Sequence, residues 1–125
     1  MNLLPVADYI ETAGLGTRAK TIFVNQIPID CVSGIMLRSP LAGTKIDHEL
    51  PGFYKTSFQL VVRANSYQDG ESRAKTAVDV LTLHETQIGE MLFKYIRPRT
   101  LPVVFPISKG NLLEFAVDFD VAFVI

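Results

Sequence analysis

An internal disulfide is closed to this chain, because Cys31 is its single cysteine. One thiol fits a reducing compartment such as the cytoplasm, and a buried apolar thiol is the simplest expectation for it. A bridge to a second chain stays open. No apolar run approaches the ~18 residues that a membrane-spanning helix needs, so no membrane partner is expected. The first residues lack a basic stretch followed by an apolar segment and a cleavage site, so a soluble intracellular product is expected. A net charge of −1 gives no global attraction for nucleic acid, although a local patch stays open. Internal repeats, low-complexity tracts and linkers are also missing, and residues 1–125 therefore read as one domain. Catalytic signatures are missing too: no P-loop, no paired-glycine nucleotide fingerprint, no nucleophile elbow and no zinc-spaced cysteine set. Neither enzyme activity nor a cofactor is expected.

What is present starts at the C-terminal end. Over residues 113–125 every second side chain is large and apolar: Leu113, Phe115, Val117, Phe119, Val121, Phe123 and Ile125. Such alternation predicts a half-buried strand. A one-residue slip would expose all seven, at roughly 1.5–3 kcal/mol for each fully buried side chain, so the register is pinned. Glu114, Asp118 and Asp120 share the opposite row, which must meet water, a cationic partner or an aqueous channel. The strand is expected to be tied into a sheet at its end.

The remaining pattern fills in around that strand. Leu3, Val6, Ala7 and Ile10 predict a helix over residues 2–13, with Pro5 in its first turn and Gly14 and Gly16 ending it. Residues 21–29 and 31–38 read as two strands, plausibly a hairpin. A polar excursion over 39–52 reads as a flap. Residues 53–65 alternate again, with Tyr54, Thr56, Phe58, Leu60, Val62 and Ala64 on one face. A second helix is expected from Asp69 to about Leu83, its inner stripe made of Ala74, Ala77, Val78 and Leu81. Strands over 91–97 and 101–107 follow, and Ser108-Lys109-Gly110-Asn111 reads as a turn. The order α-β-β-flap-β-α-β-β-β predicts an α+β fold: a mostly antiparallel, twisted sheet with both helices on one face. The other face would hold Lys55, Arg63, Glu114, Asp118 and Asp120.

Few side chains invite chemistry. Asp47, His48 and Glu49 are three potential metal ligands in the flap, but adjacent residues diverge and no second histidine is near in sequence. A solvated, partner-contacting loop is the preferred reading, with Lys45 beside it. His84 is expected at the end of the second helix, against its exposed carbonyls. Asp118 and Asp120 stand about 7 Å apart on one strand face. Their repulsion, roughly 0.6–2.4 kcal/mol, is small enough for Lys55, Arg63 or water to relieve. A wet face with cross-strand ion pairs is favoured over acid–base or metal work there. Lys94, Arg97, Arg99 and Lys109 form a loose basic cluster. Exposed sheet edges with no accompanying chemistry point to assembly with further copies, in which a sheet carried around a closed ring would remove every edge.

Two runs carry a resemblance. GIMLRSPLAGTKIDHELPGFYKTSFQLVVRA (Gly34 to Ala64) and YIRPRTLPVVFPISKGNLLEFAVDFDVAFVI (Tyr95 to Ile125) resemble the tail terminator or minor capsid proteins of long-tailed bacteriophages. The sharpest strings are IDHELPGFYK and RPRTLPVVFP. The resemblance implies a small α+β subunit of the virion, without enzyme activity or cofactor, made in the host cytoplasm during assembly. It implies a homo-oligomeric ring, a hexamer, at the head-proximal end of the tail tube. That ring would stop tube polymerisation, dock the head and let duplex DNA pass without specific binding. Its partners would be the tail tube protein and a head-completion or stopper protein.

On this view Glu114, Asp118 and Asp120 are channel-facing candidates, because carboxylates repel phosphates where a basic lining would trap them. Lys45, Asp47, His48 and Glu49 are candidates for contact with a neighbouring subunit or the tube. Arg97 and Arg99 would pair with acidic groups of an adjacent subunit or of the head-completion protein. Two alternatives stay open. One is a head-side connector or stopper component. The other is a small metal-dependent hydrolase or ligand-binding domain using Asp47, His48, Asp118 and Asp120.

Overall fold

The computed structural model of the protein describes residues 1–28, 30–40, 43–106 and 112–125. Along the chain run α1 (Leu4–Thr12), β1 (Ile22–Val24), β2 (Gly34–Arg38), β3 (Lys45–Ile46) and β4 (Phe53–Ala64). They are followed by α2 (Tyr67–Leu81), β5 (Leu83–Ile88), β6 (Met91–Pro98), β7 (Val103–Pro106) and β8 (Leu113–Val124). The two segments with the longest alternation become the two longest strands. β4 and β8 lie antiparallel in unbroken register, from Phe53 opposite Val124 to Ala64 opposite Leu113.

Everything else attaches to that ribbon. The sheet order is β1-β2-β4-β8-β6-β5, with β3 on β4 and β7 on β8 off this path. All pairings are antiparallel except β1 with β2. Both helices lie on one face, where Val6, Ile10, Ala77 and Leu81 join the sheet's apolar row in one core. The fold is α+β with a mostly antiparallel open sheet, as the alternation implies. Phe58, Phe93, Phe115, Phe119 and Phe123 are fully buried in the core. Phe58 stacks on Phe119 with ring centroids 5.0 Å apart, and Tyr54 stacks on Phe123 at 5.3 Å. Each such ring contributes about 1.5–3 kcal/mol by leaving water, which is why a register slip along β8 is excluded.

Several expectations need correction. The strands at 22–24 and 34–38 run parallel, not as a hairpin. Asn25 takes a left-handed conformation, its N–H donates to the Leu37 carbonyl, and the strand ends there instead of reaching residue 29. The chain between β1 and β2 then crosses over the sheet, as a parallel pair requires. α2 starts earlier than Asp69: Ser66 is its N-cap, its Oγ accepting from the Asp69 N–H at 3.2 Å. Its buried stripe is Gly70, Ala74, Ala77 and Leu81, with Val78 only partly buried. Thr82 is already extended, so His84 sits in strand β5 opposite Tyr95 and not at a helix end. The flap contributes β3, which pairs with β4. Leu101 precedes β7 and is 86% exposed, and Ile125 is also exposed. Cys31 is only partly buried, its Sγ donating to the Ser33 carbonyl. The turn expected at residues 108–111 lies outside the described residues.

Gly70 sets how close α2 approaches the sheet. A Cβ there would come within 3.0 Å of three atoms of the Phe115 ring. Alanine would improve helix propensity by roughly 1 kcal/mol but overpack the contact by more. Gly70→Ala should therefore lower stability by about 1–2 kcal/mol, read as a reduced denaturation midpoint with unchanged m-value.

Candidate functional site

The face opposite the helices carries every charge that the alternation singled out, and the structure divides it into two halves. Near the Ala64–Leu113 end, Arg63 is 9% exposed. Its Nε and Nη2 donate to Glu114 Oε2 at 3.3 and 3.0 Å, and its Nη1 donates to the carbonyls of Pro28 and Cys31 at 2.9 and 3.1 Å. A guanidinium has five N–H donors in a planar fork, so one side chain can hold a carboxylate and a loop together. The loop that crosses from β1 to β2 is pinned over this half. Beneath it Met36, Val61 and Ala116 form a small apolar cluster with Ile27 packed on it. This part of the face is therefore partly roofed, with Glu114 keeping some contact with water, and Arg63 serves Glu114, not Asp118 or Asp120.

The second half is open. Arg99 lies just past β6, where its N–H donates to the Asp118 carbonyl at 2.7 Å. Its Nη2 and Nε reach Asp120 Oδ1 at 2.6 and 3.1 Å. The hydrogen bond and charge of Asp120 raise the Arg99 guanidinium above its ordinary pKa, outweighing desolvation. Arg97 stands opposite Asp120 in the ladder and stacks its guanidinium over the Tyr95 ring, 4.2 Å from the centroid. Arg38 donates to Gln59 at 3.3 Å. The ion pairs of the described residues include Glu114 and Asp120 but not Asp118. Arg99 thus finds its carboxylate within its own chain, where the sequence led us to expect one on a neighbouring molecule.

The flap forms a separate feature. Lys45, Asp47, His48, Glu49, Phe53 and Lys55 line a cleft of about 400 Å³ that takes in neither Asp118 nor Asp120. The Asp47 carboxylate accepts from the Glu49 N–H at 3.0 Å, which commits it to the turn. Among the described residues no group of three His, Cys, Asp or Glu side chains is placed to hold a metal ion. Of the four residues in the hydrolase alternative, Asp47 and His48 line this cleft, and Asp118 and Asp120 do not.

Sequence reasoning missed the apolar edges. Leu101, Val103 and Phe105 are exposed around β7, and Ile46 and Leu50 around β3. Exposed alternation beside Pro102 and Pro106 was a signal that could have marked an edge strand. It also missed Arg63 as partner of Glu114, which the β4–β8 register alone would have given.

Removing Arg63 should unfasten the crossing loop and leave Glu114 without its cation. Arg63→Met is expected to cost about 2–4 kcal/mol, below the figure for a fully sealed pair because Glu114 keeps some water contact. For a domain of this size the melting temperature should fall roughly 4 °C per kcal/mol, measurable by calorimetry. Glu114→Gln, which keeps a hydrogen-bond acceptor, should cost less.

Comparison with known proteins agrees with this architecture. No curated protein sequence matches the chain. A chain from a solved structure described as the virion of a native gene transfer agent particle superimposes with a TM-score of 0.66 at 12% identity, covering 98% of this chain and 95% of that one. A second solved chain gives a TM-score of 0.50 at 16% identity, with 97% and 96% covered. These likenesses concern the fold. The family model described as bacteriophage tail terminator protein matches residues 9–125, nearly the whole chain. By that match, this protein belongs to the bacteriophage tail terminator family, structural components of the phage tail.

Proposed function

We propose that the protein forms a ring, a hexamer, that caps the head-proximal end of the tail tube. The ring halts tube polymerisation, offers the docking surface for a head-completion or stopper protein, and lets duplex DNA through. It acts as a structural part and not as an enzyme. The observation that carries the reading is the family match across residues 9–125. The open sheet supports it: β5 ends the strand path on one side and β1, bridged at Ile22 by residues 17–19, ends it on the other, and an open edge is a liability in a lone subunit and a joint in an assembly.

In this reading the charged face borders the channel, bringing Glu114, Asp118 and Asp120 toward the DNA. The pairing of Arg63 with Glu114 and of Arg99 with Asp120 suits that position. A guanidinium engaged by a carboxylate offers phosphates little net charge to hold, which limits how strongly these two sites attract the duplex. Lys45, Asp47, His48 and Glu49 project from the flap toward the neighbouring subunit or the tube, and Arg97, exposed, is available to an acidic partner.

Light scattering of the protein alone and after incubation with isolated tail tubes tests the capping role. A ring, or a monomer that becomes a ring on tubes, is expected. A monomer that ignores tubes and instead binds filled heads would favour the head-side connector. The channel assignment has its own test. Asp118→Lys combined with Asp120→Lys should leave the fold intact by circular dichroism yet lower particle infectivity at least tenfold through stalled DNA passage. Normal infectivity of assembled particles would remove these carboxylates from the channel.

A further inference from the structure

The sheet has a stepped outline. At the Ala64–Leu113 end of the central ribbon, β2 and β1 extend beyond β4, while β7 alone extends beyond β8. At the Phe53–Val124 end the depths reverse: β3 alone lies beyond β4, and β6 and β5 lie beyond β8. The two notches are therefore at opposite corners. When one copy is set beside the next in the same orientation, three strands separate the β8 of the first from the β4 of the second at both ends. They are β7, β1 and β2 at one end, and β6, β5 and β3 at the other. The number of strands is equal at the two ends, and residues 17–19, whose backbone bridges Ile22, lie along the outer edge of β1 within the first joint.

The rows across the strands carry a second, independent match. On the charged face Phe23, Met36, Val61, Ala116 and Val103 stand opposite one another across β1, β2, β4, β8 and β7. This apolar row runs from edge to edge and ends on a half-buried Phe23 and a Val103 that is 47% exposed. Level docking brings Val103 of one copy toward Phe23 of the next, across the flank where residues 17–19 bridge Ile22. At the other end Ile46, Tyr54, Phe123, Phe93 and Thr86 share a level on the helix face. Docking brings Thr86 beside the exposed Ile46 of the next copy. Charge agrees as well. Lys45 and Lys55 face each other across β3 and β4, a like-charge pair that disfavours the unassembled edge. Glu85, exposed on β5 and paired with Lys94 of its own chain at 3.3 Å, falls between the levels of Lys45 and Ile46, where it could be shared with the lysines of the next copy.

We propose that copies of this chain join head to tail through these stepped edges, β7 against β1 by side-chain contact and β5 against β3 by backbone pairing. The assignment rests on the ring reading above and adds to it which surfaces meet. The strand directions follow from the topology: β7 meets β1 antiparallel, and β5 meets β3 parallel. Ile22 already exchanges hydrogen bonds with Thr17 and Ala19 at 3.0 and 2.9 Å, and Pro102 and Pro106 bring no N–H. The β7–β1 contact is therefore made by side chains, leaving backbone pairing to β5 and β3. Such a contact uses two different surfaces and is heterologous, as a ring requires.

Cysteine crosslinking in a Cys31→Ser background tests the edges: Cα atoms on backbone-paired strands, as at β5 and β3, fall within disulfide reach, and a bismaleimide spans the wider side-chain contact at β7 and β1. Phe23→Cys with Val103→Cys on bismaleimide treatment, and Ile46→Cys with Thr86→Cys on oxidation, should each give a ladder of covalent oligomers, in solution or on tail tubes. The four single-cysteine variants should stay monomeric on denaturing gels. Ile46, Val103 and Thr86 are not core residues, so the second pair and the single variants report even if Phe23→Cys unfolds. If light scattering shows rings while the Ile46/Thr86 pair fails to crosslink, or while single variants form dimers, the edge assignment falls and the ring reading stands. If neither solution nor tubes yields an oligomer, both fall.

Discussion

The unbroken ladder between β4 and β8 is the constraint from which the other features follow. Its parity sends Phe58, Leu60, Val62, Phe115, Val117 and Phe119 to the helix side, where all are buried, and sends Arg63, Glu114, Asp118 and Asp120 to the other. A shift of one residue would exchange the two sets, exposing phenylalanines and burying carboxylates, each change costing on the order of kcal/mol per residue. The ladder also fixes the ends at which outer strands attach. β2 takes the part of β4 near Arg63, so β3 takes what remains. β6 takes the part of β8 near Val124, so β7 takes what remains. The stepped outline is a consequence of that division.

Arg63 is the one buried charged side chain among the described residues. A buried ion pair is a weak source of stability, since an apolar pair of the same volume often does as well. What Arg63 adds is position. β1 and β2 run parallel, so the chain between them must cross over the sheet, and its carbonyls need donors once they leave water. Arg63 supplies those donors to Pro28 and Cys31 while Glu114 balances its charge. One side chain thereby decides where the loop lies, covers Met36 and Val61, and divides the charged face into a roofed half and an open half.

The parts of the structure legible in the sequence were those written in long alternation. β4 and β8 appear within a residue of their expected bounds, and the α+β class and one-sided helices follow from them. Short elements were not legible, for identifiable reasons. β1 has three residues, too few for alternation to separate a hairpin from a crossover pair, and the left-handed turn at Asn25 leaves no glycine as a marker. β5 reads LHETQI, polar enough to pass for a helix end, because it is an edge strand with little to bury. The acidic row was legible as a row, whereas its pairing was not. That Arg63 takes Glu114 and Arg99 takes Asp120 depends on which strands adjoin β8, and on where the chain turns after Pro98.

The two faces of the sheet also bear on which way an assembly would curve. On the helix face β8 presents Phe115, Phe119 and Phe123 beneath α1 and α2. On the charged face it presents Ala116 and Ala122 between short carboxylates. The subunit is accordingly thicker on the helix side, where α1 and α2 lie, than on the charged side, which carries the loop crossing from β1 to β2. Identical wedges joined through their sheet edges meet with least strain when the thick sides diverge and the thin sides converge. Heterologous contacts close into rings only when each joint adds a rotation of constant sense. In the proposed ring the wedge would supply that sense, with the helices outward and the charged face toward the axis. The edge docking rests on the outline of the sheet, and the channel assignment on the chemistry of its open face. Thickness ties them together: a ring built on these edges has no comfortable way to turn its carboxylates outward.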